Sequence, residues 1–141
     1  LVKSPKLYFR DTGLACALLG IRSAESLATY YQKGAIFENF IFNELAKGYY
    51  NKGYRPPFYF WRDHAQYEVD MLINRGISLD PVELKSGKTF RKDFFKQLDW
   101  FQSITDIPTG PSTVVYGGDE DWEFENKKLL SWKNIDRLLE P

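Results

Sequence analysis

Two short segments hold the side chains best suited to chemistry. In Val82-Glu83-Leu84-Lys85, strand alternation sends Val82 and Leu84 to one face and brings Glu83 and Lys85 together on the other. In Glu68-Val69-Asp70-Met71-Leu72-Ile73, Asp70 interrupts an apolar strand, a costly place for an acid without a partner. As hairpin partners the two strands would set Asp70 beside Glu83. Carboxylates that close repel, and a divalent cation is the simplest occupant that makes the arrangement favourable. Ligation by oxygen alone suits Mg²⁺ or Mn²⁺, with waters completing the octahedron. Lys85, two residues from a carboxylate ligand and on its face, is then placed to orient a nucleophilic water or stabilise a pentacovalent phosphate. The plainer readings are a solvated Glu83–Lys85 surface pair, and a buried salt bridge from Asp70 to Lys85 or Arg62.

Periodicity shows the elements that must position these groups. Over residues 34–50 the apolar positions Ile36, Phe37, Phe40, Ile41 and Leu45 recur at helical spacing, and the turn-rich stretch 48–57 ends the helix. Glu38 lies on the side of Ile41, Phe42 and Leu45, which brings it towards the sheet as a further ligand or base, or leaves it an exposed helix charge. Residues 58–61, 68–74 and 79–85 read as strands, with Arg75-Gly76 as the hairpin signal between the last two. Residues 93–104 place Phe94, Leu98 and Phe101 on one helical face. Residues 113–116 read as a buried strand ending at Gly117-Gly118, residues 122–124 and 129–130 as short edge strands, and 132–139 as a closing helix. Ahead of these, residues 6–10 are aromatic and strand-like, and Asp11-Thr12 offers a helix cap. A short helix over 14–19 stops at Gly20, and Ser23 caps a second through residue 31. The order predicts an α/β sandwich, a mixed central β-sheet flanked by helices. Residues 1–33 are a helical lead-in and 34–141 the core of a single domain.

The 141 residues fit one domain that buries a core without disulfides. At 43% apolar and 27% charged, the composition is that of a soluble globular protein, and 17% aromatic residues predict a core rich in Phe, Tyr and Trp. No apolar run approaches the roughly 18 residues of a membrane helix, and no signal peptide opens the chain. Nineteen basic and nineteen acidic residues give zero net charge, so nucleic-acid binding would rest on a local patch. Such a patch follows Lys85, where Lys88, Arg91, Lys92 and Lys96 could each meet a phosphate, with only Asp93 opposing them. Tyr30-Tyr31, Tyr49-Tyr50 and Trp61 could stack on bases, or serve as core and interface aromatics. The single Cys16 and single His64 make neither a disulfide nor a zinc site, and a reducing cytoplasmic compartment fits best. Cys16, in an apolar helix, reads as buried and inert. The chain starts at Leu1 and its one methionine is Met71, so it reads as a fragment of a longer protein.

A helix Glu38, then Asp70, then Glu83-x-Lys85 resembles the PD-(D/E)xK nuclease superfamily. The resemblance implies a restriction-endonuclease-like fold, with Glu38 as the helix glutamate, Asp70 and Glu83 as metal ligands and Lys85 as the catalytic lysine. Gln97, in Lys96-Gln97-Leu98, matches a glutamine of the RecB-like branch that lies near the site. Val69 stands where the motif's proline would be. The stretches SPKLYFRDTGL, GAIFENFIFNEL, FYFWRD…EVDMLI and PVELKSGKT are similar to the C-terminal domain of unknown function of prokaryotic AAA+ ATPases. That resemblance implies ATPase and winged-helix modules elsewhere in the same full-length chain. ATP would bind there, since no Gly-x-x-x-x-Gly-Lys-Ser/Thr motif occurs here.

Two functions follow. In the first, a Mg²⁺-dependent nuclease-like domain, Asp70 and Glu83 hold the metal with the Leu84 carbonyl as a third donor. Glu38 binds or polarises a water, Lys85 positions the attacking water, and Gln97 orients substrate or the lysine. In the second, the same residues are a silent ion network in an interaction or oligomerisation module of the ATPase, with exposed aromatics as its contact surface.

Overall fold

A computed structural model describes residues 5–64 and 67–139. The flanking residues 1–4 of the predicted lead-in, and residues 65–66 and 140–141 of the predicted core, lie outside the described residues. Three helices come first: α1 (Thr12–Leu18), α2 (Ala24–Thr29) and α3 (Lys33–Asn51). The Asp11 side chain caps α1 by accepting from the Leu14 N–H, and Ser23 caps α2 through the Ser26 N–H. Strands β1 (Phe58–Arg62), β2 (Glu68–Asn74) and β3 (Leu79–Lys85) follow, then α4 (Lys96–Ile104), β4 (Ser112–Tyr116), β5 (Trp122–Phe124) and β6 (Lys127–Ser131). They form a six-stranded sheet in the order β1-β2-β3-β4-β6-β5. The pairings β1–β2, β2–β3 and β5–β6 are antiparallel, while β3–β4 and β4–β6 are parallel. The expected mixed sheet flanked by helices is therefore the observed architecture.

Each face of the sheet buries its own apolar cluster. On one, Ile41 and Leu45 of α3 and Leu138 near the carboxy terminus meet Met71, Ile73, Val82, Leu84, Val115 and Leu130. On the other, Leu98 and Phe101 of α4, with Phe95 just before it, meet Val69, Leu72, Val114, Tyr116 and Leu129. Val82 and Leu84 thus share the α3 face, as alternation requires.

Several expectations need correction. Residues 6–10 form no strand; the segment runs extended along α3, where the Phe9 N–H donates to Asn39 Oδ1 at 2.7 Å and Tyr8 stacks on Phe42. Leu129 and Leu130 are not on an edge strand, because β6 lies between β4 and β5 and carries its buried residues there. Gly48 does not end α3 but sits inside it, its missing Cβ admitting Leu139 from the closing segment. That segment, Trp132–Leu139, is 3-10 rather than α-helical, as is Lys92–Phe95 before α4. The fully buried side chains are mostly aliphatic, with Phe95, Phe101 and Tyr116 the buried aromatics among the described residues. Rings are too wide to vanish between a sheet and one covering helix, so most sit at the rim. Cys16 is half-buried rather than buried.

The end of β3 is held in place by a glycine. The Gly117 N–H donates to the carbonyls of Lys85 and Gly87, both at 3.0 Å. A Cβ on Gly117 would lie 2.6 Å from the Ser86 carbonyl oxygen, a rigid neighbour. Gly117→Ala should therefore destabilise the fold by about 1–3 kcal/mol in urea unfolding. Gly87→Ala, with open space around the new methyl, should be near neutral. Equal stability of the two variants would contradict this account of the Lys85 anchor.

Candidate functional site

The β2–β3 ladder pairs Asn74 with Leu79 at one end and Met71 with Val82 at the other, so Asp70 stands one step beyond, opposite Glu83. There the Asp70 side chain takes over from the backbone: its Oδ2 accepts from the Leu84 N–H at 2.9 Å. On the other edge of β2 the register shifts. Tyr59 faces Leu72 but Trp61 faces Val69, so two steps on β1 span three on β2. This bulge at Asp70–Met71 breaks strict alternation, which explains how Val69 and Leu72 pack on the α4 face while Met71 and Ile73 pack on the α3 face. Glu68 and Asp70 accordingly both reach one cation from the α3 side.

That cation is Lys6. Its Nζ lies 2.8 Å from Glu38 Oε1, 2.5 Å from Glu68 Oε1 and 3.6 Å from Asp70 Oδ1. Tyr8 Oη donates to the same Glu38 oxygen at 2.7 Å. Arg62 pairs with the other oxygen of Glu68. Lys85 Nζ meets Glu83 Oε1 at 2.5 Å, and Glu83 Oε2 is buried without a hydrogen-bond partner among the described residues. Four carboxylates are thus gathered against three cations.

Burial and mutual repulsion show in the acids' proton affinities. Glu83, only 4% exposed, is pushed up to about 7 by burial and then by the charge on Asp70, against the pull of Lys85. Asp70 is also raised, by burial first and the Glu38 charge second, with the Leu84 N–H and Lys6 opposing. For Glu68 burial acts upwards, but hydrogen bonds from Lys6 and Arg62 outweigh it and hold the group below its ordinary range. Burial would lower Lys6, and its bonds to Glu38 and Glu68 raise it on balance, so it stays an ammonium. Burial and the Glu38 charge raise Tyr8, keeping its phenol a donor.

Glu38, Asp70, Glu83 and Lys85 therefore meet at one end of the sheet. Gln97 sits on α4, which packs on β2 and β3, and its side-chain oxygen is buried without a partner among the described residues. Lys88, Arg91, Lys92 and Lys96 are exposed, and Arg91 is tied to Asp93 at 2.7 Å. The plainer reading of Asp70 as a salt-bridge partner holds in kind, but its cation is Lys6 rather than Lys85 or Arg62, each of which holds a different acid. Lys6, Tyr8 and Glu68 were not among the predicted site residues. Their i, i+2 spacings in extended segments were visible, but the helix thirty residues away that Lys6 and Tyr8 face was not.

The donor set, carboxylates with no sulfur or imidazole, fits a hard divalent cation, and the orphaned Glu83 Oε2 offers one ligand atom beside Asp70. Among the described residues no group of three or more Asp, Glu, His or Cys side chains stands ready to hold a metal ion. Lys6 occupies the place between Glu38, Glu68 and Asp70 instead. A cleft of about 370 Å³ opens beside it, with Lys6 and Glu38 at one side and a mainly apolar lining that includes Leu18, Leu19 and Ile36.

A family model described as a domain of unknown function (DUF4143) matches residues 33–135. Proteins of Mycobacterium bovis and Mycobacterium tuberculosis, both described as uncharacterized, are each 26% identical over 144 aligned residues. The alignments cover 97% of this chain and 31% of either relative, so the chain spans about a third of their length. No solved structure matches the chain. Among the described residues no helix is long and apolar enough to cross a membrane.

Glu83 makes stability depend on pH. Its ordinary value is 4.5 and its folded value about 7, so between them the folded chain keeps a proton that the unfolded chain has released. Stability from this group is whole below about 4.5 and is lost as pH rises through about 7. Glu83→Gln, which is neutral throughout, should gain in melting temperature relative to the unsubstituted chain as pH goes from about 5 to about 8. A difference that stays constant across that range would contradict the burial account.

Proposed function

We propose, for a chain that belongs to the DUF4143 family, that this is a nuclease-like domain of the PD-(D/E)xK type with a restriction-endonuclease-like fold, hydrolysing phosphodiesters with Mg²⁺ or Mn²⁺. The observation that carries this reading is the meeting of Glu38, Asp70 and the Glu83–Lys85 pair at one end of a mixed sheet, with a buried carboxylate oxygen of Glu83 left unpartnered among the described residues. Asp70 and Glu83 would hold the metal, with Glu38 as a further donor. When bound, that ion supplies positive charge against the scissile phosphate. Lys85 exchanges its Glu83 partner for the phosphate, offsets the charge that develops there and orients the attacking water. Gln97, whose oxygen lacks a partner among the described residues, orients the substrate or the lysine. The exposed Lys88, Lys92 and Lys96, with Arg91 once it leaves Asp93, meet phosphates along the strand.

The domain would be one part of an AAA+ ATPase chain with winged-helix and ATPase modules, in keeping with relatives of which it spans 31%. With zero net charge, it would draw much of its nucleic-acid affinity from those modules. A reducing cytoplasm would suit its lone Cys16.

A second reading, a catalytically silent interaction module, has its own support. Lys6 neutralises the carboxylates without any metal. An apolar groove of about 730 Å³ lies beside the site, lined in part by Leu27, Phe37, Phe40 and Trp132, with Ser86 and Gly87 at its rim. Leu14 and Leu18 of α1, and Leu19 at its end, stand exposed.

The two readings part on the lysine. Incubated with single- and double-stranded DNA and RNA in Mn²⁺, the chain should cleave at least one, and Lys85→Ala should lower the rate about 100-fold or more. Its Mn²⁺ binding should survive and not weaken, because Lys85 is a counter-charge on Glu83 and not a ligand. Equal cleavage by Lys85→Ala would discard the mechanism, and no cleavage of any substrate would favour the interaction module.

A further inference from the structure

Lys6 belongs to none of the chemistry just described, yet it is the residue most deeply engaged with the carboxylates. Its ammonium has three N–H donors and no acceptor, and three acids surround it. The acids come from two elements, Glu38 from α3 and Glu68 and Asp70 from β2, so the cation joins a helix and a strand that would otherwise repel one another. Asp70 is fully committed while Lys6 is there: Oδ2 accepts the Leu84 N–H and Oδ1 faces the ammonium. Glu83 Oε2, in a residue 4% exposed, has no partner at all among the described residues. The acids thus hold one cation, and beside Asp70 they leave a buried oxygen that, among the described residues, has none.

Resting on the nuclease-like reading for the identity of the incoming ion, we propose that Lys6 is a tethered counter-cation that competes with a divalent metal for Glu38 and Asp70, so the metal loads only as the Lys6 ammonium leaves. The ammonium sits on the Glu38 and Asp70 oxygens that a metal would take, and like charges at that range repel. The exchange needs little from the backbone. The main chain is fastened three residues on, where the Phe9 carbonyl accepts from Asn39 and Asn43 and its N–H donates to Asn39. Tyr8 is pinned by its stack on Phe42 at 4.0 Å. The four-carbon stem of Lys6 is the part with rotatable bonds, and because the cleft beside it is lined mainly by apolar side chains, the ammonium leaves past its open mouth to water. Lys6 thereby sets the metal affinity of the site without being a ligand or touching the reacting atoms.

The test is Mn²⁺ titration by calorimetry, with melting curves, on the 141-residue chain and its Lys6→Met and Lys6→Arg variants. Lys6→Met should bind Mn²⁺ at least tenfold more tightly than the unsubstituted chain, melt lower without metal and recover when Mn²⁺ is added. Lys6→Arg, which keeps the charge, should stay within a few-fold of the unsubstituted chain. If Lys6→Met folds only with Mn²⁺, the exchange is supported; if it fails to fold even then, the exchange is overturned. Mn²⁺ binding by Lys6→Met no tighter than by the unsubstituted chain also overturns it. A nucleic-acid cleavage assay separates this from the reading beneath it. Tighter Mn²⁺ binding with no cleavage by any variant keeps the exchange and removes the hydrolysis, whereas metal-dependent cleavage with unaltered Mn²⁺ affinity in Lys6→Met does the reverse.

Discussion

Charge balance at one end of the β2–β3 hairpin governs the rest of the structure. Glu38, Glu68, Asp70 and Glu83 are drawn from a helix and two strands into a half-buried space, and uncompensated acids there would drive those elements apart. Compensation comes from the extended segment through Lys6, from β1 through Arg62 and from β3 itself through Lys85. The segment before α1 is therefore part of the core domain's electrostatics rather than a detached leader. Its side-chain clamps to Asn39 and Asn43 make sense as the means of holding one ammonium in place.

The same balance links fold to function. A network satisfied wholly by lysines and an arginine is a structural ion cluster; one from which an ammonium can withdraw is a cation site. The residues are identical in the two cases, and what separates them is the free energy of exchanging a monovalent tethered charge for a divalent free one. Glu83 is the member least well served, with one oxygen on Lys85 and the other unpaired among the described residues. Burial without full satisfaction is a recurrent property of groups kept for chemistry rather than stability.

Much of this frame was legible from the residues. The hairpin was readable because Arg75-Gly76 lies between two apolar-alternating runs and Gly76 adopts the positive φ such a turn requires. Glu38 could be placed towards the sheet because it shares a helical side with Ile41 and Leu45, both buried. What escaped was set by tertiary contact. Residues 6–10 have the composition of a strand, yet their hydrogen bonds go to Asn side chains on α3, a partner that local preference cannot reveal. The bulge at Asp70 depends on the register against β1 and reverses the face that strict alternation assigns to Val69. The position of β6 inside the sheet depends likewise on its parallel pairing with β4, which a run of two leucines does not announce.

The account stands on the carboxylates of β2 and β3 forming a site for a divalent cation. Calorimetric titration of Mn²⁺ into the metal-free chain and its Asp70→Asn variant tests that most directly, with circular dichroism to show that both are folded. Saturable binding that disappears in Asp70→Asn is the predicted result. Binding that is absent from the folded unsubstituted chain, or that survives undiminished in Asp70→Asn, would contradict the account.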